Sequence, residues 1–194
     1  SEIYIYPVKS LGGISVDSAI VEERGLKYDR RYLIVDHNNV FMTQRDFPQL
    51  ALLKLSFQED GFRVLNTMDN SHLVIPFEPD SKEKILVTIW DDVCNAVKAG
   101  KDFDDWFSNA VGKKCSLVYM PDDEKRIVEK KHINDEHIVS FADAYPFLII
   151  GQSSLDDLNT RLVNPIPMNR FRTNFAFTGG KPFEEDNWKD FRIG

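Results

Sequence analysis

A mainly β fold, barrel or sandwich, with a few helices is what this 194-residue sequence predicts. Three features carry that prediction: short alternating apolar runs, turn signals between them, and few stretches of helical periodicity. Ile3-Tyr4-Ile5-Tyr6 opens the chain with the period of two that marks a half-buried strand. Pro7 then removes a backbone donor, and Lys9-Ser10 precede Gly12-Gly13, so this strand ends in a cation, a hydroxyl and a flexible turn. In RRYLIVDHNNVFMT (30–43), Asp36-His37-Asn38-Asn39 joins two apolar runs into a hairpin. LALLKLSFQEDGFRVLN (50–66) repeats the device around Glu59-Asp60-Gly61, and HLVIPF (72–77) and KILVTIW (84–90) add two strands.

A helix follows. Phe103, Trp106, Phe107, Ala110 and Val111 fall at i, i+3, i+4, i+7 and i+8, one apolar face, with Asp102 expected as N-cap and Gly112 as the stop. CSLVYM (115–120) returns to strand. Residues 121–136 hold ten charged residues in sixteen, the composition of an exposed connection between two halves. PFLIIG (146–151) reads as a buried strand, and Ser153 or Ser154 is expected to cap the short helix LDDLNTRL (155–162). RFRTNFAFTGG (170–180) alternates again, which puts Arg172 and Asn174 on one side of a strand. WKDFRIG (188–194) has the look of a strand cut short, so the expectation is a fragment of a longer protein.

Hydrophobic residues make up 42% and charged ones 28%, enough for a packed core. A formal charge of -7 argues against a general binder of nucleic acid or anionic membrane, which needs a basic surface; a small anion needs only a few local cations. Cys94 and Cys115 make no CxxC and no zinc spacing, and read as buried reduced thiols. His37, His72, His132 and His137 are not spaced as metal ligands, and Asp91-Asp92 and Asp156-Asp157 look like turn and helix-surface residues. GxSxG, HExxH, GxGxxG and GxxxxGK[ST] are all absent. No apolar segment approaches the ~20 residues of a membrane span. A cytoplasmic location is the expectation, with an organelle signal upstream of residue 1 left open.

What remains is a polar set at strand ends: Lys9 and Ser10, Arg30 beside Asp29, then Arg172 and Asn174. An arginine fork holds a phosphate through two bonds, a lysine adds a point charge, and an asparagine both donates and accepts at a heterocycle edge. Backbone amides near Gly12-Gly13 would suit an anion nest. On their own, these residues read as surface salt-bridge formers about as readily as a binding site.

YPVKS, DRRYLIV and FMTQRDFPQL resemble the N-terminal β-barrel domain that precedes MOSC domains. FADAYPFLII, SLDDLNTRL and RFRTNFAFTGGKPFEEDNW resemble the first part of the MOSC domain itself. Together they are similar to the mitochondrial amidoxime-reducing components and their bacterial relatives. The resemblance implies a MOSC N-terminal β-barrel domain at 1–120 and a C-terminally incomplete MOSC domain at 121–194. It also implies a molybdenum cofactor (molybdopterin), a pterin dithiolene with a phosphate tail. Lys9, Ser10, Arg30, Arg172 and Asn174 match cofactor-contacting positions, and Asp143 and Tyr145 match positions near the pterin. Thr43 and Arg45 match the pattern without a settled role, and Thr173 replaces a proline common in the family. The resemblance implies a molybdenum-dependent enzyme whose metal-ligating cysteine lies beyond residue 194, so no catalytic or metal-ligating residue is assigned, and a fragment without that cysteine can keep the phosphate and pterin contacts while being inactive. The implied activity is reduction of N-hydroxylated compounds, with electrons from a flavin, iron–sulfur or haem partner. A sulfur- or cofactor-carrier module is the alternative. Pyridoxal phosphate, used by desulfurases joined to some MOSC modules, ranks below the molybdenum cofactor.

Overall fold

The computed structural model describes residues 1–128 and 136–192. In chain order the strands are β1 (Glu2–Ile5), β2 (Ile14–Val16), β3 (Val21–Glu22), β4 (Gly25–Leu26), β5 (Tyr32–Asp36), β6 (Leu53–Phe57), β7 (Gly61–Asn66), β8 (His72–Pro76), β9 (Lys84–Ile89) and β10 (Asp92–Lys98). Helix α1 (Lys101–Val111) precedes β11 (Cys115–Tyr119), β12 (Arg126–Ile127), β13 (Ile138–Val139) and β14 (Ile149–Gly151); helix α2 (Gln152–Thr160) leads to β15 (Phe175–Phe177). The fold is mainly β, as expected, although no sheet closes on itself among the described residues. No helix among them is long and apolar enough to cross a membrane. The chain forms two compact units, one of Ile5–Ile14 with Ile20–Pro146, the other of Ser1–Tyr4, Ser15–Ala19 and Phe147–Gly194.

In the larger unit, β5, β11, β10 and β9 form an antiparallel sheet and β6, β7 and β8 a meander. The hairpin expected over 50–66 is present, with Leu53 opposite Asn66 and Phe57 opposite Phe62. At Asp36–Val40 the side chain of Asp36 accepts the amides of Asn38 and Val40, the turn chemistry expected of an Asp before Asn-Asn. Strand β5 is buried on both faces, which explains its unbroken apolar run. Tyr32 and Ile34 join one core with Leu53, Phe62 and Phe107, while Leu33 and Val35 join another with Val87, Ala96 and Phe141. Helix α1 puts Phe107 and Val111 into the first core and ends at Gly112, whose φ of 74° is the left-handed stop that glycine suits. Its N-cap is Gly100 rather than Asp102. Asp102 and Asp104 instead fill the first turn, where the positive end of the helix favours acids, and Asp104 accepts the Leu117 amide at 2.8 Å.

The charged stretch is less exposed than its composition predicts. Arg126–Ile127 pair with Ile138–Val139, and Arg126 and Val128 are buried. Residues 129–135, His132 among them, lie outside the described residues.

In the smaller unit the sheet order is β14-β15-β1-β2. β1 runs antiparallel to β15, with Glu2 opposite Ala176, whereas β14 runs parallel to β15, the pairing that needs a crossover such as α2. Leu155, Met168 and Ala176 form its core. Several expectations are corrected here. Neither Ser153 nor Ser154 caps α2: Gly151 is the N-cap, and Glu185 accepts the Gly151 amide (2.8 Å) and the Ser154 hydroxyl (2.7 Å). Arg172 and Asn174 do not alternate along a strand, because a 3-10 turn at Met168–Arg170 and a left-handed Arg172 (φ 59°) delay β15 to Phe175. Phe147 and Leu148 stay exposed, and residues 188–192 form no strand. Ile193 and Gly194, the end of the expected strand, lie outside the described residues.

Candidate functional site

Backbone bonds in the larger unit lace three distant segments together. Arg30 donates its amide to Tyr6 O (2.7 Å), Lys9 to Tyr32 O (2.8 Å), and Phe141 to Arg30 O (2.9 Å). Ser10 (φ 69°), Arg30 (φ 50°) and Trp90 (φ 52°) are all left-handed, a conformation that costs a side-chain-bearing residue roughly 1 kcal/mol and tends to gather at functional sites. Gly13 serves a different end. A Cβ there would lie 2.5 Å from Tyr6 Cε1, so the missing side chain makes room for the Tyr6 ring. Arg30 rests its guanidinium on that ring at 4.7 Å and donates to Asp29.

Lys9 is buried, with Nζ donating to Asp143 Oδ1 at 2.7 Å and sitting 5.7 Å from the Phe41 ring centre. Burial pushes its pKa down, the Asp143 carboxylate pulls it back in part, and Arg30 and Arg126 push it further, leaving it at about 8. Burial works to raise the Asp143 carboxyl, but the charge and hydrogen bond of Lys9, the Trp90 indole N–H and the charge of Arg30 hold it below the usual carboxylate range. Trp90 Nε1 donates to Asp143 Oδ1 at 3.1 Å, and the Arg45 guanidinium lies 5.7 Å over the Trp90 ring. Trp90, Asp91, Asp92, Arg126, Ile127, Asp143 and Ala144 line an open cavity of about 460 Å³.

Of the residues singled out from sequence, Lys9 and Asp143 touch, and Arg30 acts electrostatically on both. Ser10 turns its hydroxyl to Met42 O (3.0 Å), and Tyr145 stands 38% exposed two residues past Asp143. The Gly12 amide donates to Leu53 O, so it is committed to the fold rather than to an anion nest. In the smaller unit, Asn174 Oδ1 accepts the Leu148 amide and its Nδ2 donates to Tyr4 O, both at 3.2 Å. Thr43 builds its own turn by donating to Asp46 and accepting the Arg45 amide. Arg126 and Trp90 escaped the sequence reading. The one hint of Arg126 was the apolar pair Ile127-Val128 behind it, in a stretch otherwise dominated by charge.

Cys94 and Cys115 are free and buried, and burial pushes both thiols up to about 11. Among the described residues no group of three or more His, Cys, Asp or Glu side chains is placed to hold a metal ion.

Two known domain families match this chain. The MOSC N-terminal beta barrel domain matches residues 1–114, and the MOSC domain matches residues 136–194. The chain belongs to the family of MOSC proteins that carry this N-terminal domain. It is similar to "Mitochondrial amidoxime reducing component 2" of Bos taurus, 29% identical over 205 residues, which cover 100% of this chain and 60% of that protein. It is also similar to "Mitochondrial amidoxime-reducing component 1" of Mus musculus, 28% identical over 205 residues, with 100% and 59% covered. "Molybdenum cofactor sulfurase" of Oryza sativa subsp. japonica is 30% identical over 220 residues, 99% of this chain and 26% of that protein. The chain thus spans about 60% of the length of the reducing components it matches.

Proposed function

We propose that this chain is the cofactor-holding part of a molybdenum-cofactor oxidoreductase that reduces N-hydroxylated compounds with electrons from a partner protein. The observation that carries the reading is the ion pair between buried Lys9 and exposed Asp143, with Arg30 beside it, in a chain whose relatives are named for amidoxime reduction and for molybdenum-cofactor sulfuration. The residues fit a pterin. Asp143 is kept ionised by Lys9 while its side chain stays 75% exposed, so it can accept the N–H donors along a pterin edge. Lys9 and Arg30 supply positive charge next to it, and Trp90 offers a flat face at the same cavity. Ser10 and Tyr145 belong to the proposed set in the larger unit, and Arg172 and Asn174 are the smaller unit's proposed cofactor-binding residues. The cofactor, when bound, would supply the two-electron redox chemistry; this chain's part is to orient it and to hold charge near it. Neither cysteine suits a thiolate ligand at neutral pH, so neither is proposed to bind the metal.

Molybdenum analysis of the full-length protein, made with cofactor in supply, should give about one metal per chain, and that protein should reduce an N-hydroxylated amidine. A metal-free product would overturn the reading. The similarity to the rice sulfurase favours one other possibility, a module that passes sulfur or cofactor onward. Persulfide transfer to a partner without amidine reduction would mark that function instead. Whether the chain works in the cytoplasm, as its sequence suggests, or in mitochondria, as the reducing components' names have it, is read by fractionating cells that express the full-length gene.

A further inference from the structure

We infer that Arg126 is the positioning residue of this site, its guanidinium holding the 140–143 segment so that the Asp143 carboxylate lies on Lys9. That this is a ligand site rests on the function proposed above; the placement of Asp143 does not. A guanidinium has five N–H donors in a fixed plane, and here five contacts surround it. Nε donates to Asp92 Oδ2 at 2.7 Å, with the nearer terminal nitrogen also 2.7 Å from that carboxylate. The other contacts are backbone carbonyls: Ser140 O (3.1 Å), Ala142 O (2.6 Å) and Asp143 O (3.1 Å).

Strand β13 ends at Val139, so residues 140–143 have no ladder of their own to fix them. Arg126 takes three of their four carbonyls. Phe141, between them, is fully buried in the core of β5, β9, β10 and β11 and gives its amide to Arg30 O. The segment is therefore clamped from two sides, by Arg126 and by the backbone of Arg30, and its last residue is Lys9's partner. A lysine at 126 would keep the charge but has one nitrogen, which cannot span Asp92 and three carbonyls. The charged groups acting on Lys9 are Asp143, Arg30 and Arg126.

The test is a comparison of Asp143→Asn in two backgrounds, read as the titration of the Lys9 ammonium by NMR on the ligand-free full-length protein. In the native background, loss of the carboxylate should lower the Lys9 midpoint by about one pH unit, the usual effect of removing an adjacent opposite charge. In an Arg126→Lys background Asp143 has already left Lys9, and the same change should have about a third of that effect or less. An equal fall in both backgrounds would overturn the inference. Should Arg126→Lys fail to fold, Asp92→Asn serves in its place. Asp92 is half exposed, and losing its charge frees one end of the guanidinium. There the Asp143→Asn effect should also shrink, and an undiminished effect would count against Arg126. Because no ligand enters the titration, a protein that proves metal-free would end the proposed function and leave this result to be judged separately.

Discussion

Lys9 gives the site a pH signature that few surface lysines have. The unfolded chain holds the lysine proton up to the ordinary 10.5, whereas the folded chain releases it at about 8. Stability is thus lowered below pH 8 and recovers between those values, by up to roughly 3 kcal/mol. Lys9→Met should flatten that rise, which urea midpoints at pH 7 and pH 10 would show. Anion binding runs the other way because it needs the ammonium. Affinity for sulfate, which does not titrate in this range, should hold level below pH 8 and weaken above it, as calorimetry can follow; a level profile to pH 10 would remove Lys9 from the site. Gly13→Ala tests the support beneath Arg30. The new methyl meets the buried Tyr6 ring, an overpacking that costs about 1–3 kcal/mol and shifts the shelf on which the guanidinium lies. Thermal denaturation reads the cost, and the Arg30 side-chain resonances read the shift. At this scale the sequence singled out Lys9 and Arg30 as cations at strand ends and the family resemblance added Asp143; that Lys9 and Asp143 touch could not be read from either. Arg126 was hidden, since burial cannot be seen in composition: ten charged residues in sixteen look solvated whether or not one of them turns inward.

Whole elements were more legible than their ends. The 50–66 hairpin and α1 follow from periods of two and 3.6 because each buries one face, and a slip of one residue would expose it. Phe107, fully buried between α1 and the sheets, should cost about 3–5 kcal/mol when replaced by alanine, measurable by chemical denaturation. Caps and turns depend on residues distant in sequence, and there the reading fell short. Glu185 reaches the start of α2 from 31 residues away at Ser154, so local serines looked sufficient when they were not. The alternation at 170–177 failed for a related reason: a period of two cannot register a left-handed residue, and Arg172 breaks the strand without breaking the pattern. Asn174 shows the cost of judging a polar residue by type. Its amide group bonds the backbone at Leu148 and Tyr4, so Asn174→Ala should loosen the β1–β15 pairing, visible as faster amide exchange in those strands, besides any effect on a ligand.

For the molecule as a whole, the mainly β class could be read in advance, since it needs only a tally of strands and turns; the strand order could not, because pairing partners leave no mark on either strand alone. β1 sits between β15 and β2. Removing residues 1–4 should therefore unprotect β14 and β15 while β6, β7 and β8 of the other unit keep their protection, as hydrogen exchange would report. The same neighbourhood has a consequence for biosynthesis. Glu2 pairs with Ala176, 174 positions later, and a ribosome adding 5–20 residues per second needs roughly 9–35 s to cover that distance. Throughout that interval strand β1 has emerged without its mate, its unpaired edge open to chaperones or to neighbouring nascent chains, and the sheet of the smaller unit cannot form until β15 has been made.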